Sequence, residues 1–303
     1  VKVNIRYVMV VLGASRVVPN GAASVLRNRY GDCKDHAVLM SALLAAKGIA
    51  SEHVLINAGT AYTLPEPATM GYLDHVMVYL PTLGVYDDPT ARFASFGVLG
   101  DGSYDKPVLH VSDAGARRAR TPAMRPEDHV STRHTRLTLA ADGTTTGETV
   151  QSGTGLFASN ARAIAASLQW NGLEKSAENA LRSYGSPGKG SYEIASLEEL
   201  GLSYAVRGRF AYDARMSIKP PTTLPIPTGL GIQSRPGSYV LASRNPGRKL
   251  PFVCFAGKQV EEIELTFADG LPLPQKIDNR RVETTSILYS AEYLLDGRTL
   301  KIR

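Results

Sequence analysis

The chain holds 303 residues, 43% of them hydrophobic and 20% charged, with a formal net charge of +6. That length allows a sizeable core and, at roughly 150 residues per domain, predicts two domains. No apolar run nears the ~18 residues that span a bilayer, which excludes a transmembrane segment, and the arginines from Arg117 to Arg136 lack the interleaved aromatics that stack on bases, which argues against a nucleic-acid partner.

The sequence opens at Val1, and its first stretch, VKVNIRYVMVVLG, reads as a strand. The chain is therefore expected to be a piece of a longer protein, with any signal peptide lying upstream. From Asp32 to about Ala46 the pattern is helical. Asp32 suits an N-cap, Leu39, Met40, Leu43 and Leu44 recur at helical spacing, and Gly48 closes the end. Strands are predicted over 52–58 and 74–80, and a short strand over 84–88 stops at Pro89. The stretch 112–130, rich in Ala, Arg and Pro, reads as a linker. Beyond it, 133–139 and 144–151 alternate around an Asp142-Gly143 turn, a hairpin signature. One helix is predicted over 156–184 and strands over 202–212, 260–267 and 287–295, with an irregular, proline-rich stretch over 219–237.

The two cysteines, Cys33 and Cys254, give neither a disulfide framework nor a metal-binding spacing. Cys254, within Phe252-Val253-Cys254-Phe255, reads as a buried structural thiol. Cys33 falls in the first turn of a helix, where the dipole and the free N–H groups favour thiolate over thiol. A thiolate nucleophile needs a base or cation beside it, and that base needs an orienting acceptor. His75 heads a strand whose alternation puts His75, Met77 and Tyr79 on one face. If the chain turns back as a hairpin, a two-residue loop sets 75 opposite 88 and a four-residue loop sets 77 opposite 88. In both registers Asp88 shares the face of His75, whereas Asp87 shares it only with a three-residue loop or a bulge. His36 reads as a supporting residue, and His53, His110, His129 and His134 show no metal-ligand spacing. Asp101 to Asp105 is too sparse for a calcium loop, so no metal or cofactor is expected. The backbone N–H of Cys33 is the natural first oxyanion donor, and Asn28 is a candidate second.

Three ordered motifs carry a family resemblance: Arg29-Tyr30-Gly31-Asp32-Cys33-Lys34-Asp35, Asp74-His75-Val76-Met77-Val78 and Tyr86-Asp87-Asp88-Pro89-Thr90. Together they resemble the transglutaminase-like cysteine superfamily over residues 1 to 100. With Ile5-Arg6-Tyr7 upstream and a β-rich tail, the chain is similar to a bacterial extracytoplasmic subgroup whose core is flanked by β domains. The resemblance implies a papain-type triad of Cys33 as nucleophile, His75 as base and Asp88 as orienting acid. It further implies a periplasmic or secreted protein, a missing upstream β domain and a peptide or protein substrate. The expected fold is α+β: an N-terminally truncated transglutaminase-like, papain-like core over 1–111, a linker over 112–130 and a β-rich domain with one helix over 131–303. The expected function is thiol-dependent acyl transfer on amides through a thioester, ending in hydrolysis. The alternatives are protein-glutamine transglutamination and a non-catalytic binding or assembly module.

Overall fold

Apolar alternation and helical periodicity sort the chain into two compact units, Val1–Arg125 with Glu198–Leu202, and Pro126–Leu197 with Ser203–Arg303. The computed structural model describes residues 1–9, 18–59, 62–213, 226–227, 229–233, 247, 255–275, 277–285 and 287–303. Among these residues the protein is mixed α+β, mostly β, with four α-helices. No helix among them is long and apolar enough to cross a membrane.

The first unit begins with a two-residue strand β1 (Arg6–Tyr7), helix α1 (Ala22–Asn28) and strand β2 (Tyr30–Gly31), followed by helix α2 (Cys33–Ala45). β1 and β2 pair in parallel, Arg6 with Tyr30 and Tyr7 with Gly31. Arg29, between α1 and β2, takes a left-handed backbone (φ 59°) that ends α1 and turns the chain toward α2. An antiparallel sheet follows, formed by β3 (Glu52–Ile56), β4 (His75–Leu80), β5 (Val85–Asp87), β6 (Pro107–Ser112) and β7 (Gly115–Arg120), in the order β5-β4-β3-β6-β7. Alternation along β4 splits its side chains as the sequence predicts. Val78 and Leu80, with Val76, pack on Ala37, Met40 and Leu44 of α2. Met77 joins Val54, Ile56, Leu99 and Val108 on the opposite face. Each such buried side chain contributes about 1.5–3 kcal/mol of transfer free energy, and those of the first cluster hold α2 against β4.

The second unit is built on a sheet of β8 (Val130–Leu139), β9 (Thr145–Thr154), β10 (Gly188–Ile194), β11 (Ser203–Tyr212), β12 (Lys258–Phe267), β15 (Tyr293–Asp296) and β16 (Thr299–Ile302). The strand order is β10-β11-β9-β8-β12-β16-β15. Its pairs are antiparallel except β12 with β8. Helices α3 (Gly155–Asn171) and α4 (Leu173–Ser183) supply Ala158, Ala161, Ala165, Ala177 and Leu181 to a core shared with Leu137, Leu265 and Phe210. A separate hairpin joins β13 (Arg280–Glu283) to β14 (Leu288–Ala291).

Four expectations are corrected. Residues 115–120 of the presumed linker form β7, an edge strand whose side chains are nearly all exposed, so no apolar alternation marks it. Its arginines are held instead by ion pairs, Arg117 to Glu52, Arg118 to Glu66 and Arg120 to Asp105. The single helix over 156–184 is two helices, because Gly172 (φ 87°, ψ 126°) leaves helical geometry between α3 and α4. The strand over 287–295 is likewise two, parted at Glu292, whose N–H bonds to the Arg303 carbonyl (2.8 Å). The opening stretch is strand only at Arg6–Tyr7. Cys254 and most of 219–237 lie outside the described residues.

Candidate active site

The site starts from the cap of α2. Asp32 accepts a hydrogen bond from the Asp35 N–H (3.3 Å) and Asp35 accepts one from the Asp32 N–H (3.2 Å), a reciprocal capping box. Asn20 donates to the same Asp35 carboxylate from its backbone (2.7 Å) and its side chain (3.1 Å). Lys34 pairs with Asp32. His36, 1% exposed, donates from Nδ1 to the Asp32 carbonyl (2.8 Å), and its Nε2 lies 3.3 Å from the Ile5 carbonyl. These bonds fix the first helical turn and leave Cys33, at its first position, partly exposed. A Cβ at Gly31 would lie 2.5 Å from the Cβ of Asp35, so glycine is required for the chain to pass this box. Gly31→Ala is expected to lower the unfolding free energy by about 1–3 kcal/mol, read by urea denaturation; unchanged stability would refute the crowding argument.

The β4–β5 register chooses between the two adjacent aspartates. Val78 pairs with Asp87, Tyr79 with Tyr86 and Leu80 with Val85, which leaves residues 81–84 as a four-residue loop. Asp87 therefore turns to the α2 side, where it is 1% exposed and accepts bonds from Lys2 Nζ and the Gly97 N–H, both at 2.8 Å. Asp88 turns to the other side, and its Oδ2 lies 2.8 Å from His75 Nε2. Its Oδ1 accepts from the Thr90 N–H (2.9 Å) and hydroxyl (2.7 Å), which orients the carboxylate within the Asp88-Pro89-Thr90 turn. The Cys33 side chain is the ring's other neighbour, close enough to favour its charged form together with Asp88. With Nε2 committed to Asp88, Nδ1 is the ring nitrogen that remains for sulfur.

Electrostatics follow from this geometry. Burial alone would lower the His75 pKa, but hydrogen bonds and charge from Asp88 and Cys33 outweigh it and hold the ring up to about 10. Burial pushes the Asp88 carboxyl toward its neutral form, yet bonds from His75 and Thr90 hold it below the usual carboxylate range. Because the folded-state value of His75 lies above its ordinary value of about 6.5, its contribution to stability is complete below that pH and is lost as pH rises toward about 10. Wild-type stability is thus expected to fall more than that of His75→Gln between pH 6.5 and 10, measured by denaturant titration. Parallel curves would contradict the linkage.

The sequence marks Tyr7 only within the Ile5-Arg6-Tyr7 stretch and gives it no role, yet its phenol lies close enough to Cys33 for the sulfur's charge to raise its ionisation. A two-residue strand gives no periodicity to announce it. Asn28, the candidate second oxyanion donor, is an exposed residue at the end of α1. The other histidines are spoken for elsewhere: His53 bonds Ser41 (3.1 Å), His110 bonds Glu52 (2.6 Å) and Tyr86 (2.9 Å), His129 accepts from the Leu156 N–H (3.2 Å) and His134 lies 3.5 Å from the Glu264 carboxylate. No group of three or more His, Cys, Asp or Glu among the described residues is arranged to hold a metal.

No protein-family model matches the chain, and no curated protein does. Among solved structures it is similar to a Parabacteroides distasonis protein described as a "putative protease", with a TM-score of 0.52 and 12% identity over 99% of this chain. The likeness is one of fold. The chain spans 42% of that protein's length.

Proposed function

We propose that this chain carries a transglutaminase-like, papain-type active centre that hydrolyses peptide or protein amides through a thioester on Cys33. The observation that carries the reading is the line-up of Cys33, His75 and Asp88, with His75 Nε2 2.8 Å from the Asp88 carboxylate and the Cys33 side chain as the ring's other neighbour. Cysteine at a helix start, histidine at a strand head and aspartate just past the next strand are the three roles that thiol acyl transfer needs.

In the mechanism, the Cys33 thiolate attacks the amide carbonyl and the C=O electron pair moves onto oxygen. The N–H of Cys33, at the first helical position, has no acceptor within its own helix and supports that charge. Protonated His75 gives its proton to the departing amine as the C–N bond breaks, which leaves a thioester and a neutral imidazole. His75 then takes a proton from water, whose oxygen attacks the thioester, and acid is released with the thiolate and imidazolium restored. Asp88 keeps the ring oriented and offsets its charge throughout. The fold neighbour's description as a "putative protease" agrees with water as the acceptor. The resemblance of the three motifs to a bacterial extracytoplasmic subgroup supports a place in the periplasm or the exterior.

The test is a panel of glutamine-containing and other peptides incubated with and without an added primary amine. Hydrolysis predicts release of free acid whether or not the amine is present. Incorporation of the amine would instead make the chain a transglutaminase, and no turnover of any peptide would favour a binding module.

A further inference from the structure

Tyr7 lies outside the relay, yet three features bring its phenol to the nucleophile. The parallel β1–β2 pair sets Tyr7 opposite Gly31, two residues before Cys33. The ring of Tyr7 lies 5.9 Å, centroid to centroid, from that of His36, nearly one helical turn after Cys33. Between those two fixed points, the phenol lies close enough to Cys33 for the sulfur's charge to raise its ionisation. The ring is 41% exposed, so packing alone does not account for its place beside the sulfur.

We propose that Tyr7 is a third group on the nucleophile, its O–H donating a hydrogen bond to the Cys33 thiolate and sharing with His75 the task of holding that sulfur ionised. The inference rests on the Cys33–His75 reading above. A donor facing an anion forms the strong, charge-assisted kind of hydrogen bond, and Tyr7 can only donate here. Burial, then the negative charges of Cys33, Asp32 and Asp88, push its own ionisation up to about 12, so the phenol keeps its proton throughout any working range. Other charged or titratable groups around the sulfur are already engaged. Asp88 stands behind His75, Asp32 is paired with Lys34, and His36 is bonded to backbone carbonyls. No proton leaves Tyr7 in this role; it stabilises charge that His75 balances.

The test uses iodoacetamide on the intact chain, with the Cys33 adduct quantified by peptide mass spectrometry from pH 5 to 9, in wild type, Tyr7→Phe and His75→Ala. Alkylation by displacement forms no oxyanion, so it reports on the thiolate alone. In Tyr7→Phe the rising limb is expected to move up by about one to two pH units, the worth of a hydrogen bond to a charged group. On the acid side that is about 10- to 100-fold slower labelling, converging with wild type at high pH. A Tyr7→Phe profile that coincides with wild type overturns the proposal, whatever its turnover. Should the Phe variant fail to fold, 3-fluorotyrosine placed at position 7, a stronger donor, is expected to move the limb down, and no movement overturns the proposal equally. If His75→Ala coincides with wild type, the Cys33–His75 reading itself fails.

Discussion

His75→Ala is expected to lower kcat/KM on a peptide amide by about 10²–10⁴-fold, and Cys33→Ala to abolish it. The size follows from how much one ring is asked to do. His75 donates to Asp88 at 2.8 Å and has Cys33 as its other neighbour, so in the proposed mechanism its removal takes away the counter-cation of the thiolate and the acid for the leaving group together. The loss should be smaller for an activated ester such as a p-nitrophenyl ester, whose leaving group needs no proton. Steady-state kinetics on the two substrates checks this. Equal losses on both would mean that His75 acts only on the thiol.

The second large effect separates two adjacent carboxylates. Asp88→Ala is expected to cost about 10²–10⁴-fold in turnover while the chain stays folded, because it frees the imidazole of His75 from the carboxylate that orients it. Asp87→Ala is expected to do the reverse. Asp87 is 1% exposed and neutralises Lys2, itself largely buried, while accepting the Gly97 N–H. Its loss leaves that cation without its counter-charge and that N–H without its acceptor, for about 2–4 kcal/mol of destabilisation, with activity per folded molecule retained. Denaturant curves beside kinetics separate the two outcomes. A folded Asp87→Ala that has lost turnover would overturn the assignment of faces.

That division is legible in the amino-acid sequence because it rests on parity. Strand alternation puts residues 75 and 88 on one face for any even loop, and the observed loop is the four-residue one. The cap is legible too, since Asp32 and Asp35 stand at the spacing of a capping box. The features that escape the sequence have no periodic signal. β1 and β2 are two residues each, so nothing local pairs Tyr7 with Gly31. β7 is an exposed edge strand whose arginines find carboxylates distant in the chain, Arg117 meeting Glu52. Apolar residues continue on both sides of Gly172, and it takes the backbone angle of that one residue to make two helices of the run.

The reading of function stands or falls on whether Cys33 is activated by His75. The most direct measurement treats the intact protein with a substrate-like peptide electrophile and locates the adduct by mass spectrometry, in wild type and in His75→Ala. The account predicts labelling on Cys33, in preference to Cys254, at a rate at least about tenfold lower without His75. Preferential labelling of Cys254, or a Cys33 rate indifferent to His75, would contradict it.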